Sequence, residues 1–184
     1  MIKYNIGFIR RNDQILLLNR EKSSWMGAWN GVGGKLEEGE AARDSIEREI
    51  LEETGIKSVA LRVMFKGLVT WQVDSDYFGG MYLYMAVLDA DYPYATPIKT
   101  DEGILDWKNV EWIMHPDNVG VATHLPKYMP LMLEQQGCYN HYSVFKDGVL
   151  ASVTSYPVRE EIEWDRKLLL EELEPFRIGG TILR

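Results

Sequence analysis

A single cysteine, Cys138, in 184 residues leaves no partner for an intramolecular disulfide and no metal-binding thiolate cluster. Isolated as it is, that thiol reads as core filler rather than as a nucleophile. Basic side chains are in the minority, with 20 Lys and Arg against 28 Asp and Glu and a formal net charge of −8. This balance argues against non-specific nucleic-acid binding, which depends on neutralising phosphates with cations. It does not exclude a phosphate ligand, because a bound metal ion offsets carboxylates and polyphosphate together. No apolar run approaches the length of a membrane span and the amino terminus lacks a secretory pattern, so a cytoplasmic protein is expected, with no membrane partner. Repeats, low-complexity stretches and a convincing linker are also absent. The chain therefore reads as one domain over residues 1–184, with enough apolar residues, 46%, to bury a sizeable core.

What the chain does have is a dense run from Gly34 to Ile56, GKLEEGEAARDSIEREILEETGI. From Glu40 to Thr54 it lacks Gly and Pro and is rich in Ala, Glu, Arg, Ile and Leu, which predicts a helix with Gly55 as a left-handed carboxy-terminal cap. At about 100° per residue, Glu49, Glu52 and Glu53 fall within an arc of roughly 100°, beside an apolar stripe of Ile46 and Ile50. Like charges at these spacings repel, and more so where solvent is restricted, so a cation is expected among them. Mg²⁺, held by one or two carboxylates together with water and substrate phosphate, suits the cluster. Arg48 lies one turn before Glu52 and can hold it. A solvated helix face would explain EREILEE alone. The glycines in front favour a site, since Gly31, Gly33 and Gly34 let backbone approach a phosphate or metal closely and Gly39 eases entry into the helix.

Around this run, residues 3–10 and 14–19 predict a hairpin over Asn12-Asp13. Arg20 and Lys22 end its second strand, either pointing toward phosphates or serving as ordinary strand-end charge. Trp25 to Asn30, WMGAWN, supplies aromatic rings that are either core cover or a wall for a nucleobase, and Asn30 either reads a base edge or forms a turn. Residues 58–70 and 80–89 read as strands, 90–100 as a proline-bearing rim loop ending near Glu102, and Val110 to Met114 as a short strand. Pro126 is expected to open a helix reaching about Gln136. Residues 141–156 alternate around Asp147-Gly148 as a hairpin. Arg159 to Leu173 reads as a charged amphipathic helix or an arm of a possible homodimer.

The run from Gly34 resembles the Nudix hydrolase signature, G-x5-E-x7-R-E-U-x-E-E-x-G-U with U aliphatic. Gly34, Glu40, Arg48, Glu49, Ile50, Glu52, Glu53, Gly55 and Ile56 meet it in order. Seven exact residues, each at roughly 5–7% background usage, coincide by chance on the order of once in a million such chains, so the match carries weight. The resemblance implies an α/β Nudix fold, an α/β/α sandwich around a mixed β-sheet with a loop-helix-loop box. The core would occupy about residues 1–136 and a hairpin and helix extension about 137–184. It implies hydrolysis of a nucleoside diphosphate linked to another moiety, with Mg²⁺ or Mn²⁺ and an attacking water. Residue by residue it makes Glu49 and Glu53 the principal metal ligands, with Glu52 supporting them or taking the water proton. The Gly33 carbonyl would complete the shell, Arg48 would assist catalysis, and Glu102 would be the extra ligand or base from a loop outside the box. Asn30, Arg20, Lys35 and Trp25 are the expected substrate-binding residues.

WNGVGGKLEEGE further resembles the branch of the family that hydrolyses oxidised purine nucleoside triphosphates. The expected activity is Mg²⁺-dependent conversion of a nucleoside triphosphate such as 8-oxo-dGTP to the monophosphate and pyrophosphate, the partner being that small-molecule nucleotide. Nucleotide sugars, dinucleoside polyphosphates and RNA 5′ ends are the alternative substrates, and a nucleotide-sensing domain without turnover is the alternative class. The chain departs from the branch at one place. Its vertebrate members read the oxidised base with two aspartates just before the late helix, where this sequence has His124 and Leu125.

Overall fold

The first hairpin forms where the Asn12-Asp13 turn places it. In the computed structural model, which describes residues 2–74, 77–134 and 136–177, β1 (Tyr4–Arg11) pairs antiparallel with β2 (Gln14–Arg20), Ile9 opposite Leu16. Both strands are apolar on consecutive residues because both of their faces are covered. Ile9, Leu16 and Leu18 pack into one core and Ile6, Phe8, Ile15 and Leu17 into the other. A two-residue strand, β3 (Trp29–Asn30), adds to β2. The box helix α1 (Ala42–Thr54) follows, two residues later than the expected start at Glu40, whose carboxylate instead accepts the Glu37 N–H. Gly55, at φ 74°, closes α1 by donating to Leu51 O, as predicted.

Two long strands, β4 (Leu61–Val73) and β5 (Tyr77–Leu88), make the central hairpin, β4 following a single 3₁₀ turn at Ser58–Ala60. Next come β6 (Ile98–Lys99), β7 (Gly103–Asn109), α2 (Val110–Met114) and α3 (Leu125–Glu134). The extension contributes β8 (Cys138–Lys146), β9 (Val149–Val158), a 3₁₀ turn at Glu160–Glu163 and α4 (Arg166–Arg177). The strands form one sheet in the order β6-β7-β2-β1-β5-β4-β8-β9, with β3 beside β2. It is mixed, since β1 runs parallel to β5 and β4 parallel to β8. One face carries α1 and α4 through Ile46, Ile50, Leu169 and Leu173, and the other carries α2 and α3 through Ile113, Tyr128 and Met129. The result is the expected α/β/α sandwich. Ile46 and Ile50 are fully buried, each stabilising the docking of α1 by about 1.5–3 kcal/mol.

Three expectations are corrected. Val110 to Met114 is a short helix, not a strand. The strand lies just before it as β7, which pairs with β2 from Gly103 opposite Arg20 to Asn109 opposite Gln14. That ladder ends opposite Gln14, where β2 begins, so the following residues coil and bury Ile113. Gly103 makes the earlier start possible, because its φ is 150° and a Cβ there would collide with the Asn19 carbonyl. The helix from Pro126 ends at Glu134, with Gln135 outside the described residues. The tail helix begins at Arg166 rather than Arg159, because the Asp165 carboxylate accepts the Lys167 and Leu168 N–H groups and caps it there. Leu169 and Leu173 pack onto this chain's own sheet rather than standing out as an arm. The last seven residues of the expected extension, 178–184, lie outside the described residues.

Candidate active site

Four consecutive residues, Gly31 to Gly34, run alongside β1 and set the floor of the site. Gly7 and Val32 exchange backbone hydrogen bonds of 2.7 and 3.0 Å, and the Asn5 N–H donates to Gly34 O at 2.9 Å. Asn5 also fixes the loop with its side chain, whose oxygen accepts the Gly34 N–H at 3.3 Å while its amide donates to Ser45 Oγ of α1 at 2.8 Å. At Gly33, φ is 140° and a Cβ would approach the Asn5 carbonyl oxygen to 2.5 Å; at Gly34 it would come within 2.5 Å of Glu49 Oε1. Neither position admits a side chain without displacing the strand or the carboxylate.

The helix edge faces this floor. Arg48 is the hub, donating from Nε and Nη2 to the two Glu40 oxygens at 2.8 and 3.0 Å, from Nη1 to Glu49 at 2.9 Å and to Glu52 at 3.1 Å, and from Nη2 to the Lys35 carbonyl at 3.3 Å. The Arg48 bond holds the Glu40 carboxyl down at about 2. Arg48 itself is held firmly protonated, its hydrogen bond to Glu40 outweighing partial burial. Glu49 is raised above the ordinary range by burial, against the pull of Arg48. Glu53 accepts the Gly33 N–H at 3.1 Å, yet burial pushes its carboxyl up to about 7, with the Glu49 and Glu102 charges adding to the rise and Arg20 opposing it.

Glu102 therefore lies within electrostatic reach of Glu53. It is held by Lys22 Nζ at 2.5 Å and lies 3.9 Å from Arg20 Nη2, and its carbonyl accepts the Glu21 N–H at 3.0 Å, so the loop before β7 is tied to the loop after β2. A hard divalent cation fits this donor set. The carboxyl of Glu53 is desolvated, turned to the glycine floor and repelled by two neighbouring acids, an arrangement that added positive charge relieves. Among the described residues no three acid, His or Cys side chains stand close enough to enclose an ion by themselves. The carboxylates would thus grip it from one side, leaving the other coordination positions to water and phosphate.

The remaining expected substrate residues are dispersed. Asn30 lies in β3, is 6% exposed, and its Oδ1 accepts the Gly31 N–H at 2.9 Å. Lys35 gives its carbonyl to Arg48, while its side chain lines a groove of about 1370 Å³ between the box loop and the extension, with Glu37, Arg43, Trp164 and Leu169. Trp25, at φ 65°, tilts against His124 with ring centres 5.1 Å apart. Behind it the rings continue: His124 to Tyr128 at 5.7 Å, then Tyr128 stacked on His141 at 4.9 Å. His124 Nδ1, Tyr128 Oη and His141 Nε2 are buried, and among the described residues no group bonds to them. Burial drives both imidazoles down to about 4, so they are neutral at pH 7.

Sequence reasoning singled out His124 but missed Asn5, Tyr128 and His141. The one signal for Asn5 was an amide inside an apolar strand, YNIGFIRR. Tyr128 and His141 meet only through the tertiary packing of α3 on β8.

A glycine floor, a helix edge of carboxylates organised by one arginine, and a sheet with helices on both faces define a loop-helix-loop site suited to a polyphosphate and a divalent cation. The sequence pattern of the NUDIX domain matches residues 1–132, and the chain belongs to the Nudix family as a Nudix hydrolase. It is 26% identical over 158 residues to the oxidized purine nucleoside triphosphate hydrolase of Mus musculus, covering 85% of this chain and 94% of that protein. It is 30% identical over 130 residues to an uncharacterized Nudix hydrolase of Bacillus subtilis, covering 70% and 77%. Among solved structures, the MutT protein of Bacillus halodurans superposes with a TM-score of 0.68 at 21% identity, covering 84% of this chain and 97% of that one. No helix among the described residues is long and apolar enough to cross a membrane.

Proposed function

We propose that this hydrolase converts a nucleoside triphosphate and water to the nucleoside monophosphate and pyrophosphate in a Mg²⁺-dependent reaction, with an oxidised purine nucleotide such as 8-oxo-dGTP as substrate. The carrying observation is the buried Glu53 carboxyl, raised to about 7 beside Glu49 and Glu102 at the glycine floor. Glu49 and Glu53, with the Gly33 carbonyl and Glu102, are the groups that would hold Mg²⁺. When bound, the ion supplies Lewis-acid polarisation of phosphoryl oxygens and a more acidic water. Arg48 keeps Glu49 and Glu52 aligned through one guanidinium nitrogen. Glu52, 58% exposed, is the carboxylate best placed to take the proton of the attacking water. In the reaction one P–O bond of the α,β-anhydride breaks, and the water oxygen joins the phosphorus.

The oxidised-purine part of the reading is supported by the named activity of the mouse relative, whose length this chain nearly spans. A second reading rests on His124. A neutral imidazole offers one donor and one acceptor where the vertebrate branch uses a pair of carboxyl groups, which favours a different base. Chromatographic analysis of the products formed from 8-oxo-dGTP, unmodified nucleoside triphosphates, nucleotide sugars, dinucleoside polyphosphates and capped RNA, with and without Mg²⁺, separates these readings. Fastest turnover of 8-oxo-dGTP is the expected result. Turnover of another base only would select the second reading, and nucleotide binding without any turnover would assign a sensor.

A further inference from the structure

Apolar packing sets how a helix is rotated on a sheet only to within the slack of its side chains, and small rotations matter for α1. Its side-chain tips lie some 5–6 Å from the axis, so about 10° of rotation moves a carboxylate by roughly 1 Å. Displacements of that size cost about 10² in rate where reacting groups must be aligned. The question is what, besides the Asn5–Ser45 bond, fixes the rotation at the first turn of α1.

Arg43, in the first turn of α1, answers it. All three of its guanidinium nitrogens are engaged: Nε lies 2.9 Å from Glu163 Oε1, Nη2 donates to Glu163 Oε2 at 3.0 Å, and Nη1 donates to the Val63 carbonyl of β4 at 2.9 Å. The Tyr84 hydroxyl of β5 donates to Glu163 Oε1 at 3.2 Å. This is a two-pronged, directional contact between a buried carboxylate, 5% exposed, and a guanidinium side chain that is 39% exposed. Glu163 is itself fixed. It closes the 3₁₀ turn between β9 and α4, where Ile162, 1% exposed, plugs into the same core as Ile46 and Ile50. That turn lies beyond residues 1–132, the part of the chain that matches the family pattern.

We propose that Glu163, held in the carboxy-terminal extension, is a positioning residue that sets the rotation of α1 through Arg43 and so aligns Glu49 and Glu53 with the glycine floor. This rests on the hydrolase reading for what the alignment serves, while the clamp itself is read independently of turnover. A buried ion pair can be replaced by apolar side chains of similar volume without loss of stability, but such a pair carries no direction.

The decisive protein is therefore the full chain with Arg43→Met and Glu163→Leu together, and Glu163→Gln beside it as the milder change. The double variant leaves the Tyr84 hydroxyl and the Val63 carbonyl without these partners, so it is expected to fold with a melting temperature lowered by several degrees. Its kcat should fall about 10–100-fold with KM nearly unchanged, it should need more Mg²⁺ for half-maximal rate, and its amides in Ala42–Thr54 should exchange faster. Glu163→Gln should lie between parent and double variant. Parental kcat and parental exchange in a folded double variant overturn the proposal. If the double variant does not fold, Glu163→Gln with parental exchange overturns it equally. Should the parent itself show no turnover, the hydrolase reading fails, and the exchange rates of α1 still decide the clamp.

Discussion

The two faces of the sheet keep polar groups near the site in opposite ways. On the α1 face the groups are charged and shared: Arg48 binds Glu40, Glu49 and Glu52, and Glu53 leans on a backbone N–H. On the α3 face they are neutral and solitary, with His124 Nδ1, Tyr128 Oη and His141 Nε2 enclosed among rings. Solvation energy explains the division. An ionised carboxylate cannot be enclosed without a partner, whereas an unmade hydrogen bond on a neutral group costs about 1–3 kcal/mol and can be tolerated where a ligand or water will meet it. Charge collects where Arg48 and backbone N–H groups offset it, and neutral polarity where aromatic rings enclose it.

Removing one carboxylate should break the charged face most severely. Glu53→Gln is expected to lower kcat by about 10²–10³, read as pyrophosphate release in Mg²⁺, and parental turnover would sink the assignment. The same change should stabilise the metal-free protein. Because the folded-state value rises from 4.5 to about 7, the folded chain holds a proton that the unfolded chain has lost, and stability declines as pH rises through that window. Above pH 7 the penalty is about 3 kcal/mol, which the amide removes. Thermal melts in EDTA at pH 8 test this, with a variant no more stable than the parent as the contrary result.

The neutral face titrates with the opposite sign. His124 and His141 fall from 6.5 to about 4 on folding, so the stability they contribute is complete above pH 6.5 and is lost as pH falls toward 4, about 3 kcal/mol for each. Between pH 4.5 and 6.5 the loss at the histidines is partly offset by the gain at Glu53. The parent should therefore show a shallow dependence in metal-free urea unfolding, Glu53→Gln a steeper fall on acidification, and His141→Phe a flatter one. Equal slopes in all three would remove the opposition between the faces.

A smaller effect is expected at the rim. Glu102 is 31% exposed and already paired with Lys22, so Glu102→Gln should lower kcat by about tenfold and leave KM almost unchanged. Unaltered kcat at saturating substrate between pH 6 and 9 would make it a solvated loop acid, and would leave Glu49, Glu52 and Glu53 to define the charged face.

The same division decides what was legible in the sequence. The charged face lies within 23 contiguous residues, where helix period and glycine placement fix geometry directly, so α1, its cap and its carboxylate edge could be read from Gly34 to Ile56. The first and last hairpins were legible from their turns. The neutral face joins α3 to β8, and the clamp joins α1 to the turn after β9; nothing in local spacing announces that His141 meets Tyr128 or that Glu163 meets Arg43. The strand misplaced onto Val110–Met114 failed for a related reason. The reach of β7 is set by its partner β2 and by the close pass of Gly103 over Asn19, which are tertiary facts.

The smallest change is the sharpest probe of the neutral face. Tyr128 is fully buried and its hydroxyl has no partner among the described residues, so Tyr128→Phe deletes an unmade hydrogen bond and keeps the ring stacked on His141. Stability should stay the same or rise by up to about 1 kcal/mol, because the folded state loses a desolvation penalty and the core keeps its volume. If the hydroxyl serves the ligand, KM should rise several-fold for the preferred base and stay constant for poor ones, with kcat unaltered. A loss of more than about 1 kcal/mol in urea unfolding would mean that an enclosed water already satisfies the hydroxyl. The α3 face would then be held by its own solvent network, and its contrast with the α1 face would be one of partner, water against arginine, rather than of charge.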